Sequence, residues 1–553
     1  MHTEVPRLID RSGGTSIMYK NRDLYGTADP QETAGRRARS LQLRNDTLYL
    51  LASPLLWYGT VEILEKLPEG SFLLAVEHDP ALAAISSEHV PEAVSSHPSF
   101  TFIQSSVPEV IYKAIEGMGF ESFRRVQLIS LNAGYRLFHS AYSRLHQLLQ
   151  EEIQQFWLNK YTLMHMLPLW IKNIFRNIGS ISSLSTSINV DTVLPETSLP
   201  VLVAGAGPSL EENLHFLEAR RNEFFLLAVD TAFAPLMQAG IQPDAVVVQE
   251  AQFFNLYDFI PFPHLETLLI ADLSSYPGVL QLATNGIHFV SARFADIALF
   301  RRLAKYGLLP SELVPMGSVG STAVDIALRL TKGPVICTGI DYAFFPGKTH
   351  SNNSPQHLRM LTETYRLQPL IDLSAYSANG VRFASGTTDR LLTTATLERY
   401  ASNFNRVFKG NKRLFRLHPA GLPLHIPTVE SRATEAIISQ WKENAIAADR
   451  DLKTGSTATR PSDVEAGQIA AFFSEELDLL QSVYSLGRDY LHGGSDTAAE
   501  RILLAAINQC EYLFLSFPET GCHLRTIDPT LVKRILVSAG HYIRLIRNAY
   551  PRP

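Results

Sequence analysis

Cysteine is nearly absent: three occur in 553 residues, at Cys337, Cys510 and Cys522, with no C-x-x-C spacing. That argues against a disulfide scaffold and a zinc site, and fits a reducing compartment. No block of consecutive basic residues suggests a nucleic-acid surface, and 49 Lys+Arg against 54 Asp+Glu leave a formal charge of −5. Nucleic acid is therefore not expected as a partner. No apolar run reads as a membrane span: Leu273 to Ala292 carries no formal charge but is interrupted by Pro277, Gly278, Asn285 and Gly286. The opening Met1-His2-Thr3-Glu4-Val5-Pro6-Arg7 has neither a basic n-region nor an apolar h-region, so a cytoplasmic protein is expected. What is abundant is apolar content, 46% of the chain, enough for the cores of roughly three or four domains.

The chain is expected to be α/β: a central Rossmann-like, mostly parallel sheet, preceded by a smaller α/β domain and followed by a helical C-terminal domain. Residues 1–45 are polar and read as irregular. Residues 46–175 read as an α/β domain with a helical connector, beginning with a strand at Leu48–Ala52, a helix at Val61–Leu67 and a strand at Ser71–Glu77. Glu77 ends that second strand, where a carboxylate can hold a ribose. The first turn, Ser53-Pro54-Leu55, lacks the glycines of nucleotide-binding folds, so this sheet is expected to be structural. Residues 176–440 read as the central domain, with strands at Val201–Ala204, Phe225–Val229, Ala245–Val248, Thr267–Ala271, His288–Val290 and Pro334–Thr338. Alternation with helices implies parallel strands and ligands beyond their C-terminal ends. Residues 441–462 read as a linker and 463–553 as amphipathic helices, which either pack on the core or form a homo-oligomer face.

Chemistry-bearing residues gather at the ends of the central strands. Val201-Leu202-Val203-Ala204 runs into Gly205-Ala206-Gly207-Pro208-Ser209-Leu210. Glycines there permit close backbone approach, Pro208 suits a first helical turn, Ser209 offers a hydroxyl, and a helix N-terminus presents unpaired N–H groups to an anion. Asp230 and Thr231 follow the second strand. After the third come Glu250, Gln252 and Asn255, carboxylate and amide groups suited to sugar hydroxyls. Glu250 alone makes no metal site, because hard cations take several oxygen ligands; no cofactor is firmly implied. Gly317 and Ser318 open a second glycine/serine loop into a helix. Asp341 and Tyr342 end a later strand, followed by Lys348, Thr349 and His350.

Together, Val203 to Leu210, Asp230-Thr231-Ala232, Gly240 to Asp244, Gly317-Ser318-Val319, and Gly339 to Tyr342 with Lys348-Thr349-His350 resemble the central domain of motility-associated factor (Maf) flagellin glycosyltransferases. The resemblance covers about residues 200 to 430, and the flanking regions are similar to that family's layout. The same domain resembles small bacterial sialyltransferases. The resemblance implies transfer of a nonulosonic acid, such as pseudaminic or legionaminic acid, from a CMP-activated donor to Ser/Thr of flagellin. It implies that Gly205, Gly207 and Ser209 face the nucleotide phosphate, that Asp230, Gly317 and Ser318 line the donor pocket, and that Asp341 closes it.

In that chemistry, departure of CMP builds negative charge on phosphate and positive charge on the sugar, so donors at the phosphate lower the barrier, and a hydroxyl acceptor calls for a base. The sequence departs from the sialyltransferase pattern here. Two tyrosines and a later histidine are replaced by Ala343 through Thr349 and by Ser385 to Arg390, with Tyr342 one place early. Lys348 is the expected substitute at the phosphate, and Asp341 and His350 are the expected catalytic pair. Two other readings stay open at this point. One is a non-catalytic nucleotide-sugar or flagellin-binding scaffold. The other is a pyrophosphokinase similar to the archaeal hydroxymethylpterin enzymes, disfavoured because Gln249-Glu250-Ala251-Gln252 lacks their repeated aspartates.

Overall fold

The computed structural model describes residues 5–26, 28–116, 120–181, 184, 188–190, 194, 196–376, 380–385, 391–448, 466–493 and 497–550. The chain forms two compact units, Met1–Met164 with Phe517–Gly521, and His165–Ser516 with Cys522–Pro553. The boundary falls within one helix, His139–Ser180.

In the first unit, residues read as irregular are folded. Strands β1 (Arg7–Arg11), β2 (Gly14–Tyr19) and β3 (Arg22–Asp23) make an antiparallel sheet, and Asp29 caps helix Pro30–Ser40 by accepting from the Glu32 amide. The reason they escaped notice is that such a small sheet buries little: Ile17, Tyr19 and Leu24 are its main apolar contribution to the core. Strands β4 (Thr47–Ala52), β5 (Phe72–Val76), β6 (Phe100–Ile103) and β7 (Arg125–Ile129) form a parallel sheet in the order β6-β5-β4-β7. Glu77 is fully buried, accepting from Ser53 Oγ at 2.7 Å and Tyr142 Oη at 3.0 Å. Burial pushes its carboxyl up to about 7. These are bonds within the unit.

The second unit carries β8 (Ile188–Asn189), β9 (Val201–Ala204), β10 (Phe225–Val229), β11 (Ala245–Val248), β12 (Leu268–Asp272), β13 (Ile287–Ala292), β14 (Ser311–Leu313) and β15 (Val335–Thr338). A hairpin of β16 (Arg382–Phe383) and β17 (Leu392–Thr393) follows, then β18 (Leu414–Leu417) and β19 (Thr428–Val429). The large sheet runs β14-β13-β12-β11-β10-β9-β15-β18-β19, with β8 beside β13, and every pairing in it is parallel. Its inner strands are continuous apolar runs because helices cover both faces of such a sheet. Val201 through Ala204 and Leu226 through Ala228 are wholly inaccessible.

The strand order reverses at β9: the chain moves outward through β10 to β14, then returns to place β15 on the other side of β9. Ligands of open α/β sheets bind at such a reversal, beyond the strands' carboxyl ends.

The C-terminal helices Ala466–Gly493 and Pro529–Ala549 belong to this second unit. Buried Glu476 takes a bidentate contact from Arg302 of helix Ala298–Lys305, at 2.6 and 2.9 Å, and a hydroxyl from Tyr512 at 2.5 Å. The helices therefore pack on the core through this face. The expected linker at 441–462 begins inside helix Ser431–Ala448, while 449–465 lie outside the described residues. No helix among the described residues is long and apolar enough to cross a membrane.

Candidate active site at the strand reversal

The loops after β9 and β15 are packed backbone to backbone. Gly205 N donates to Thr338 O and Gly207 N to Gly339 O, both at 2.8 Å. A Cβ at Gly205 would strike Gly339 O, and one at Gly207 would strike the Asp341 carboxylate; Gly339 sits at φ +67°. The close approach that these glycines permit is to the neighbouring loop.

The expected phosphate seat at this turn is filled from within. Helix Ser209–Ala219 starts beyond Pro208, and Asp341 accepts from Ser209 N through Oδ2 and from Ser209 Oγ through Oδ1, each at 2.8 Å. Arg416, from β18, reaches Asp341 Oδ1 at 3.2 Å and also donates to the carbonyls of Leu422 and Ile340. Ser209, Asp341 and Arg416 are all buried. An anion at a helix N-terminus is stabilised by the unpaired amides and the helix dipole, and here that anion is Asp341. Ser209 is spent on this bond, and Asp341 borders the cleft with Oδ1 holding two donors and Oδ2 one.

The cleft itself has a volume of about 900 Å³. Gly205, Gly207, Asp230, Thr231, Ser318, Asp341, Tyr342, Thr349 and His350, all expected at the site, line it. Ser318 is the N-cap of helix Val319–Leu330, and its side chain makes no capping bond, so the first-turn amides face no internal acceptor from it. Gly317 precedes it at φ +77°, packed on Tyr400, and shapes the turn without lining the cleft. Tyr342 is held at φ +50° with its hydroxyl 2.5 Å from Ser321 Oγ, and burial pushes its phenol up to about 12. His350 Nδ1 lies 3.2 Å from Thr349 Oγ1; burial, with His357 beside it, lowers the imidazole to about 4. It is neutral at physiological pH.

Asp230 is buried, accepting from Thr231 N and from Asn255 Nδ2, both at 2.8 Å. Asn255 Nδ2 also donates to Asp258 Oδ2 at 3.1 Å. Burial and the charge of Glu250 raise Asp230, and burial with the charges of Asp230 and Glu250 raises Asp258. Glu250 accepts from Gln252 N and borders an adjoining cavity.

Two expected residues are elsewhere. Lys348 Nζ is 2.5 Å from Glu211 Oε2 in the first turn of helix Ser209–Ala219 and does not line the cleft. Gln252 is exposed, with Nε2 on Met166 Sδ. The Ser385–Arg390 stretch lies outside the described residues beyond Ser385. The sequence reading missed Arg359, a cleft-lining cation on helix Pro355–Glu363 whose Nε is 2.9 Å from Glu363 Oε1, and Asp258 and Arg416. A lone arginine at the centre of a short apolar run, Leu414-Phe415-Arg416-Leu417, was the available signal for the last. Among the described residues no group of three or more His, Cys, Asp or Glu is arranged to hold a metal ion.

Comparison with known proteins extends this picture. A family model described as 6-hydroxymethylpterin diphosphokinase MptE-like matches residues 171–346. The chain is 26% identical over 556 aligned residues to an uncharacterized protein of Treponema pallidum (strain Nichols), covering 98% of this chain and 95% of that one. A second uncharacterized protein of the same organism is 28% identical over 102 residues, 18% of this chain and 46% of its own. Among solved structures, the MAf glycosyltransferase from Magnetospirillum magneticum AMB-1 is similar in fold, with a TM-score of 0.59 and 15% identity over 100% of this chain and 87% of that one. The α/β architecture expected from the sequence is thus shared along the whole chain.

Proposed function

We propose that this chain is a glycosyltransferase of the Maf type that moves a nonulosonic acid from a CMP-activated donor to Ser/Thr of flagellin. The observation that carries the reading is the cleft at the strand reversal, in a chain whose full length has the fold of a glycosyltransferase.

In this reading the nucleotide phosphate sits at the N-terminus of helix Val319–Leu330, where the Ser318 hydroxyl and first-turn amides meet developing negative charge as CMP leaves. Arg359 adds a cation at the cleft wall. The knot of Ser209, Asp341 and Arg416 acts as a positioning element, fixing the β9 and β15 loops that form the cleft floor. His350, neutral and close to Thr349, offers hydrogen bonds to the donor without competing charge.

Mixing the full-length protein with flagellin and CMP-linked nonulosonates should add the mass of one sugar per modified site. Absence of transfer from every such donor refutes the reading. The MptE-like match gives a second reading, pyrophosphoryl transfer, which requires an ATP-dependent diphosphate product from a hydroxymethylpterin with magnesium. Product in that assay, with none from CMP-sugars, would replace the first.

A further inference from the structure

A second cavity of about 770 Å³ opens off the cleft, sharing Asp230, Thr231, Val319, His350, Gln356 and Arg359 with it. Its other walls come from the turn Phe253–Asp258 and from helix Pro355–Glu363. Phe254, Tyr257 and Ile260 border it and remain 53, 46 and 57% exposed. The Phe254 and Tyr257 rings lie 6.1 Å apart, and exposed apolar groups gathered at a cavity mouth mark a binding surface more often than idle exterior. Inside, Asn255 bridges Asp230 and Asp258 through Nδ2, while its Oδ1, on a side chain 3% exposed, has no hydrogen-bond partner. Glu250 adds a third carboxylate, against Arg359 alone as a lining cation among the described residues.

We infer that this second cavity is the acceptor subsite, that it takes a polypeptide segment presenting a Ser or Thr hydroxyl between apolar neighbours, and that Asp258, paired with Asp230, receives the hydroxyl proton. The inference rests on the glycosyltransfer reading and names the part of the site that the donor does not fill. Charge separates the two substrates. Asp230 and Glu250 repel a nucleotide-linked acidic sugar, whereas a neutral or basic polypeptide is not repelled. The bordering aromatics suit apolar side chains next to the acceptor residue.

The step balances without a further reactant. The hydroxyl oxygen forms a bond to the anomeric carbon, the bond from that carbon to the phosphate oxygen breaks, and its electron pair leaves with CMP. The hydroxyl proton passes to Asp258 and then to solvent. Burial and the facing charges of Asp230 and Glu250 push the Asp258 carboxyl up to about 8, so the ionised form that takes the proton becomes populated as pH rises through that value, and the transfer rate should rise with it. Val319 and His350, which border both cavities, mark the junction where hydroxyl and donor meet.

The test uses the full-length chain, flagellin and CMP-linked nonulosonates, with calorimetry of CMP binding as the independent measurement. Asp258→Asn should lower kcat for transfer by about a hundredfold or more, leave CMP affinity within about twofold, and remove one ionisation from the acidic limb of the pH profile. Asp258→Glu should restore part of the rate. Ile260→Asp, at an exposed position, should raise KM for flagellin by about tenfold without changing KM for the donor. Transfer by Asp258→Asn within about twofold of wild type, or a rise in donor KM instead of flagellin KM, overturns the assignment. A wild-type chain that binds no CMP overturns the glycosyltransfer reading and this inference with it, a result calorimetry separates from the other two.

Discussion

Asp341 is the residue whose replacement best separates a catalytic from a positioning role. Asp341→Asn keeps the side-chain shape but removes the charge facing Arg416, and the two side chains are only 1 and 5% exposed. The asparagine can also satisfy no more than part of the knot. If its oxygen faces Ser209 Oγ and Arg416, its NH2 group is turned on the Ser209 amide, donor against donor. Breaking a buried pair by changing one partner costs about 3–5 kcal/mol, a large part of the roughly 5–15 kcal/mol that holds a typical domain folded.

Because the chain folds as two units, a single melting curve does not isolate this loss, whereas amide hydrogen exchange does. The reporting amides are those tying the two loops, Gly205 to Thr338 and Gly207 to Gly339. In Asp341→Asn their exchange should speed up by about 10² to several times 10³-fold, and CMP affinity should fall with it. Arg416→Gln should cost less, because Asp341 keeps both donors from Ser209 and the helix N-terminus. The double variant should cost less than the sum, with a coupling of about 1–3 kcal/mol. If Asp341→Asn abolishes turnover while loop protection changes by less than about 1 kcal/mol, the positioning argument is refuted and Asp341 acts directly on substrate.

Two further outcomes are expected. Glu77 has its carboxyl raised from 4.5 to about 7, so the folded first unit binds that proton more tightly than the unfolded chain. Stability from this group is fully present below about pH 4.5 and is lost as pH rises through about 7, a total of about 3 kcal/mol at most. Glu77→Gln, which can keep the bonds to Ser53 and Tyr142, should flatten that slope in exchange measurements on β4 amides; parallel slopes in the two proteins would contradict it. Lys348→Ala should leave CMP affinity within about twofold because Nζ is engaged by Glu211, whereas Ser318→Ala should weaken it roughly three- to tenfold. Calorimetry giving the reverse ranking would show that the phosphate sits nearer Lys348.

How far the sequence can be read depends on how far apart the interacting residues are. β9, β10, β11 and β15 were legible because burial on both faces writes itself as an unbroken apolar run. β14, with Glu312 exposed at its centre, and β18, with Arg416, carry polar residues and were not. Arg416 is also the clearest case of a site residue without a local signature. Its meaning comes from Asp341, 75 residues earlier, and spacing along the chain says nothing about that pairing. Asp258 is similar, since only the turn Phe253–Asp258 brings it to Asn255 and Asp230. The glycine turn was legible as a place where backbones approach closely, but sequence alone does not say which backbone, and it proved to be the β15 loop. One helix N-terminus in this sheet is thus occupied by the protein's own carboxylate. The other, at Ser318, carries no side-chain capping bond and no internal anion among the described residues, and the physical argument for a bound phosphate moves there.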